Sequence, residues 1–75
     1  MVTVRVYYKN TDKAAIGVGV CILLYDVMFL ALPDEKFTDS NGAANIDSDL
    51  GSGSVYVNGK EVFTGQIEGR TVVYI

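Results

Sequence analysis

The chain contains no histidine, one cysteine and one proline, and its six lysines and arginines are scattered. Without histidine, the side chain best suited to proton transfer near neutral pH is missing, and so is the commonest metal ligand. Catalysis would have to rest on carboxylate pairs such as Asp47 and Asp49, or on Cys21 supported by a lysine. A single cysteine excludes an intramolecular disulfide. Cys21 lies in the apolar run "GVCILLY", and its nearest charge in sequence, Asp26, has the wrong sign to activate a thiol. It reads as a small buried hydrophobe. No cluster of Lys and Arg offers to neutralise phosphates, so nucleic acid is not expected as a partner.

The amino terminus "MVTVRVYYKN" lacks a basic leader followed by a continuous apolar block, and nothing in it directs export. A cytoplasmic location is favoured if the chain is complete. Ala14 to Leu32 is the one stretch long enough to span a bilayer. Asp26 lies inside it, Gly17 and Gly19 interrupt it, and its β-branched content suits two strands, so no membrane is expected. Acidic charge concentrates between residues 34 and 49, where Asp34, Glu35, Asp39, Asp47 and Asp49 face Lys36 alone.

What is present is enough for one thin core. The 75 residues are 49% hydrophobic and 20% charged, a globular composition. We expect a single domain over residues 1–75 that buries about 60% of the surface its unfolded chain exposes. "VTVRVY" alternates, with Val2, Val4 and Val6 on one face and Thr3, Arg5 and Tyr7 on the other. Asn10, Thr11 and Asp12 then favour a reversal. "IGVGVCILLY" places Val18, Val20, Ile22 and Leu24 in one register and Cys21 and Leu23 in the other, the pattern of a central strand covered on both sides. Asp26 marks a bend, "VMFLAL" reads as a further short strand, and Pro33 ends it.

"TDSNGAANID" poses a choice between a metal loop and a turn. Asp39 and Gly42 occupy the first and fourth places of a type I turn, which predicts a hairpin led in by Phe37 and Thr38 and out by Ala44 and Ile46. A helix-loop-helix calcium loop starting at Asp39 finds Asn41 in third place, but then Ala43, Ala44 and Leu50 where ligands, glycine and glutamate belong. Asp47 and Asp49 share a face if extended, leaving a weak cation site as a minor alternative beside a solvated acidic rim. "LGSGS" reads as a flexible joint. "SVYVNGKEVF" then carries the strongest turn signal, Asn58-Gly59, suited to type I′. Two-residue geometry predicts Val57 opposite Lys60, Tyr56 opposite Glu61, Val55 opposite Val62 and Ser54 opposite Phe63. Val55, Val57 and Val62 would then form the core face, with Tyr56 and Phe63 on the reverse. "TGQIEG" is a turn or short strand around Ile67, and "RTVVYI" a final strand.

The fold class is all-β: six to seven short antiparallel strands in a small Greek-key or prealbumin-like β-sandwich, with a five-stranded OB-like barrel as the alternative. "IGVGVCI", "TDSNGAANI" and "GSVYVNGKEV" resemble the second strand, the Thr-Asp-x-x-Gly hairpin and the following aromatic strand of the transthyretin-like, carboxypeptidase regulatory-like domain family. The resemblance runs over residues 2–75. It departs where "VTVRV" lacks the family's glycine and where "DLGSGSVYV" replaces its proline-containing approach. It implies a seven-stranded sandwich acting as a non-catalytic accessory module, with no catalytic, cofactor-binding or metal residues to carry over.

Function then falls among three classes. The first is a protein-interaction or structural module, contacting a protein partner or a second copy through strand edges. "RTVVYI" carries no charge or proline beyond Arg70 to protect it, unless "VTVRVYY" or a loop covers it. Tyr56 and Phe63 are further contact candidates, or core of a second layer. The second is an enzyme, which so short a chain without histidine gives little room for. The third is a single-stranded nucleic-acid-binding barrel, motivated by Tyr7 and Tyr8 beside Arg5 and Lys9 and opposed by the acidic middle. No cofactor is expected.

Overall fold

The first strand, β1 (Val2–Tyr7), follows its alternation: Val2, Val4 and Val6 are fully buried, and Arg5 between them is exposed. Burying a valine is worth about 2 kcal/mol relative to exposure, so a one-residue slip would forfeit that for all three at once. The computed structural model describes residues 1–25, 35–48 and 50–75. The expected strand "VMFLAL", the bend at Asp26, the stop at Pro33 and the carboxylate of Asp49 lie outside the described residues.

The remaining elements are β2 (Gly19–Leu24), β3 (Lys36–Phe37), β4 (Ala43–Ile46), β5 (Gly51–Val57), β6 (Lys60–Ile67) and β7 (Arg70–Tyr74). They form two sheets, ordered β4-β1-β7 and β3-β2-β5-β6. The chain is an all-β sandwich, and the two separate sheets replace the five-stranded barrel held as the alternative. Between them, Val2, Val4, Val6 and Val73 of one sheet pack against Val20, Ile22, Val55, Val57 and Ile67 of the other. Among the described residues, no helix is long and apolar enough to cross a membrane.

β2 lies between β3 and β5, as its two-sided apolar pattern requires, with Val20, Cys21, Ile22 and Leu24 all buried. It starts three residues later than "IGVGVCILLY" implies, because Ile16 and Gly17 form a turn in which Gly17 takes φ 71°. β5, by contrast, starts early and absorbs the expected joint "LGSGS". Gly53 permits close strand packing there, since a Cβ on it would stand 2.4 Å from the Leu23 carbonyl oxygen.

Three pairings differ from the expected ones. Asp39 and Gly42 do close a turn, with the Gly42 N–H donating to the Asp39 carbonyl at 3.0 Å. It is no hairpin, however, because β3 pairs with β2 and β4 with β1, so the turn carries the chain from one sheet to the other. Gly42 is needed there, at φ 73° with the Val6 carbonyl oxygen 2.9 Å from where a Cβ would sit. Thr38, 5% exposed, anchors the crossing: its hydroxyl donates to the Ala15 carbonyl and accepts from the Val18 N–H at 3.1 Å.

The second difference is a β-bulge. Asn58 and Gly59 take φ 52° and 80°, the type I′ geometry, and Val57–Lys60 and Tyr56–Glu61 pair as expected. Beyond them the register shifts, so that Val55 faces Phe63 and Ser54 faces Thr64. Val62 is the extra residue. A bulge brings two successive side chains toward one face, and Val62 and Phe63 both pack against the core. Phe63 therefore leaves the reverse face, where Tyr56 remains.

Third, β7 runs parallel to β1, from Thr3 opposite Arg70 to Tyr7 opposite Tyr74. Glu68 and Gly69 carry the chain across from β6 in one sheet to β7 in the other, and a link that changes sheets is free of the hairpin's antiparallel requirement. The strands are thus antiparallel in every pairing but this one.

Candidate interaction edge

"RTVVY" alternates strictly in β7: Thr71 and Val73 are buried, Arg70, Val72 and Tyr74 exposed. Its backbone alternates too. The Thr3 N–H donates to the Gly69 carbonyl at 2.9 Å, the Ile75 N–H to the Tyr7 carbonyl at 2.8 Å, and the Lys9 N–H to the Ile75 carbonyl at 2.9 Å. In such a ladder every second residue turns both its N–H and its C=O to the same neighbour. Odd-numbered residues 71, 73 and 75 therefore serve β1. Arg70, Val72 and Tyr74 direct theirs the other way, where no described strand follows in the sheet order.

The side chains of this edge are uncharged after Arg70. Val72 is 49% and Tyr74 48% exposed, on the outer face of the β4-β1-β7 sheet. Tyr74 lies against Tyr7 of β1 with ring centroids 5.9 Å apart.

The other edge strands are guarded. β3 has two residues, one of them Lys36. β4 has four, and Asn45 is engaged there by the Thr3 hydroxyl at 2.7 Å. β6 is the longest strand, but Lys60 and Glu61 open it, the Val62 bulge breaks its ladder and Gly65 takes φ 141°. Short length, charge and bulges are the devices by which sheets refuse further strands. β7 has none of them beyond its first residue.

β6 and β7 face each other across the open side of the sandwich, and two hollows lie along that line. One, of about 260 Å³, is lined by Phe63 and Gln66 of β6 together with Arg70 and Thr71 of β7. The other, of about 450 Å³, is lined by Lys9, Lys60, Val62, Tyr74 and Ile75. Both border β7, the larger through Tyr74 and the smaller through Thr71 and Val72.

No protein-family model, curated protein or solved structure matches this chain. Function must therefore be argued from its own geometry.

The candidate chemical groups are dispersed. Asp39 is occupied as a turn-builder: its Oδ1 accepts from the Asn41 N–H at 2.8 Å and the Ala43 N–H at 3.1 Å. Those bonds, that of Ala43 first, hold its carboxyl below the usual range, with Arg5 adding to the effect. Asp47 is exposed beyond the end of β4. Among the described residues, no three His, Cys, Asp or Glu side chains converge as a metal group. Cys21 is 3% exposed, and burial, then the Glu35 carboxylate, push its thiol up, away from the reactive thiolate. Tyr7 turns to Tyr74 rather than joining Tyr8, which is exposed on its own.

Sequence reasoning missed a polar ladder on the outer face of the four-stranded sheet. The Ser54 hydroxyl donates to Glu61 Oε2 at 2.9 Å, and the Tyr56 hydroxyl reaches the same oxygen at 3.5 Å. Tyr25 Oη bonds Ser54 Oγ at 2.8 Å and also Thr64 Oγ1. Partial burial, then the Glu61 charge, push the Tyr56 phenol up. Ser54 is 1% exposed, so its hydroxyl ties β5 to β6 from a buried position. The signal lay in the shifted register, which sets Ser54 opposite Thr64.

Proposed function

We propose that this chain is a non-catalytic protein-interaction module that binds by accepting an extended strand at β7. One observation carries the reading: β7 is regular and uncharged after Arg70, and it turns the backbone groups of Arg70, Val72 and Tyr74 away from β1, its one neighbour among the described strands. Main-chain hydrogen bonds to such an edge supply affinity, and alternate side chains supply selectivity. The resemblance to transthyretin-like, carboxypeptidase regulatory-like domains agrees with this reading, since it implies an accessory sandwich, and the seven strands in two sheets are in keeping with it. Val72→Pro tests the reading, because it removes an outward N–H while leaving β1's partners in place. Binding partners recovered with the parent chain should be lost with Val72→Pro and kept with Asp47→Ala, an exposed position beyond the end of β4. Equal recovery by Val72→Pro would refute it.

A second reading has its own observation. Arg5, Tyr7, Arg70 and Tyr74 share the outer face of the β4-β1-β7 sheet, and arginine beside tyrosine rings on which bases can stack suits single-stranded nucleic acid. Salt-dependent retention on single-stranded DNA, lost in the Arg5→Glu, Arg70→Glu chain, would support that reading over strand addition. The net charge of −3 opposes it.

A further inference from the structure

The two hollows both border β7. Three cations line them, Lys9, Lys60 and Arg70, against two acidic side chains, Glu61 and Glu68, in a chain whose net charge is −3. The cations are unevenly placed. Lys9 and Lys60 both border the larger hollow, at the Ile75 end, where Glu61 is the one acidic side chain among the lining residues. At the Thr71 end, Arg70 and Glu68 offset each other beside the amide of Gln66. Each hollow has one apolar residue of β6 in its wall, Val62 in the larger and Phe63 in the smaller, and both pack against the core.

A strand added antiparallel to β7 would meet these places in a fixed order. Its backbone would pair with Tyr74, Val72 and Arg70, and its side chains opposite Ile75, Val73 and Thr71 would turn inward, two residues apart. From the first of these to the last is about 13 Å, and Ile75 lines the larger hollow while Thr71 lines the smaller.

Resting on the proposed strand addition, we propose that the occupant is an extended segment of another protein, with an acidic side chain at position i, an aliphatic one at i+2 and a short polar one at i+4. Position i enters the hollow beside Lys9 and Lys60, i+2 covers Val62 and Phe63, and i+4 meets Gln66 and Thr71. A second copy of this chain is a poor occupant. The inward side chains of its own β7, Thr71 and Val73, are 7% and 3% exposed within its own core. They cannot reach into a neighbour's hollows, and both would stay empty.

The probe is a labelled ten-residue peptide centred on Glu-Thr-Val-Thr-Thr-Thr, titrated into the ¹⁵N-labelled chain and followed by amide shifts and fluorescence anisotropy. The amides of Val72 and Tyr74 should move most. Replacing the peptide's Glu by Lys, or making Lys9→Glu with Lys60→Glu in the protein, should each weaken binding by about tenfold at low salt. Combining both changes should recover most of the loss. If the Glu and Lys peptides bind β7 equally, the acidic specification is wrong and strand addition stands. If no peptide binds while sedimentation shows a dimer that Val72→Pro dissociates, the occupant is a second copy and the present proposal falls. If no peptide binds and the chain is a monomer, both the occupant and strand addition fall.

Discussion

β6 and β7 border the same open side of the sandwich, yet only one of them is prepared to refuse a partner. β6 is eight residues long and interrupted by charge, a bulge and Gly65. β7 is five residues long, uninterrupted and uncharged after Arg70. A long strand with a free edge is the greater aggregation hazard, so the guards stand where a nonspecific sheet would grow. The shorter edge limits what can add to it to a few backbone hydrogen bonds. That contrast is what a selective strand-binding site requires, an inviting edge beside a forbidding one.

The contrast is broken most severely through β7's inner register. Val73→Pro loses a bond to β1 and most of a buried side chain, and should cost about 3 kcal/mol, seen as a lower urea midpoint. Its neighbour gives the opposite result. Val72→Pro should cost about 1 kcal/mol or less, because its N–H faces outward, yet weaken strand binding at least tenfold. If the two substitutions destabilise equally, β7 does not have the alternation described.

Deleting Val62 sharpens the comparison from the other side. The deletion would pair Val55 with Phe63 without a bulge and make β6 a regular edge. In a Val72→Pro background the chain should then self-associate at concentrations where Val72→Pro alone sediments as a monomer, at a cost of about 1 kcal/mol in stability.

The smallest effect concerns the far side, where the Asp39 turn performs the sheet crossing that Glu68 and Gly69 perform between β6 and β7. The folded-state carboxyl of Asp39 titrates below its unfolded value. Its contribution is therefore complete above the ordinary carboxylate range and is lost as pH falls through the depressed value. Asp39→Asn should flatten the acid limb of the stability profile slightly and leave peptide binding at β7 unchanged. An unaltered acid limb would mean that the turn bonds of Asp39 contribute nothing measurable.

Local chemistry was readable in the chain. The valine alternation of β1, the two-sided β2 and the Asn58-Gly59 turn all follow from periodicity or from the φ values a turn demands. What failed was information that no short stretch carries. Asp39 and Gly42 specify a turn but not whether its arms join one sheet or two, since that depends on β1 and β2 competing for β4 and β3. The Val62 bulge arises because Val62 and Phe63 can both be buried, a gain that a simple count outward from the turn misses. The parallel match of β1 with β7 joins the two ends of the chain, beyond the reach of any local pattern. The absence of guards on "RTVVYI" was visible in sequence, but only the sheet order distinguishes the side taken by β1 from the side left bare.

Amide hydrogen exchange along β7, read residue by residue on a monomeric sample, tests that bare side most directly. Val72 and Tyr74 should exchange orders of magnitude faster than Thr71 and Val73, and slow when the acidic peptide is added. Protection of Val72 and Tyr74 equal to that of Thr71 and Val73 in the free monomer would mean that the edge is already covered, and the proposed binding site would not exist.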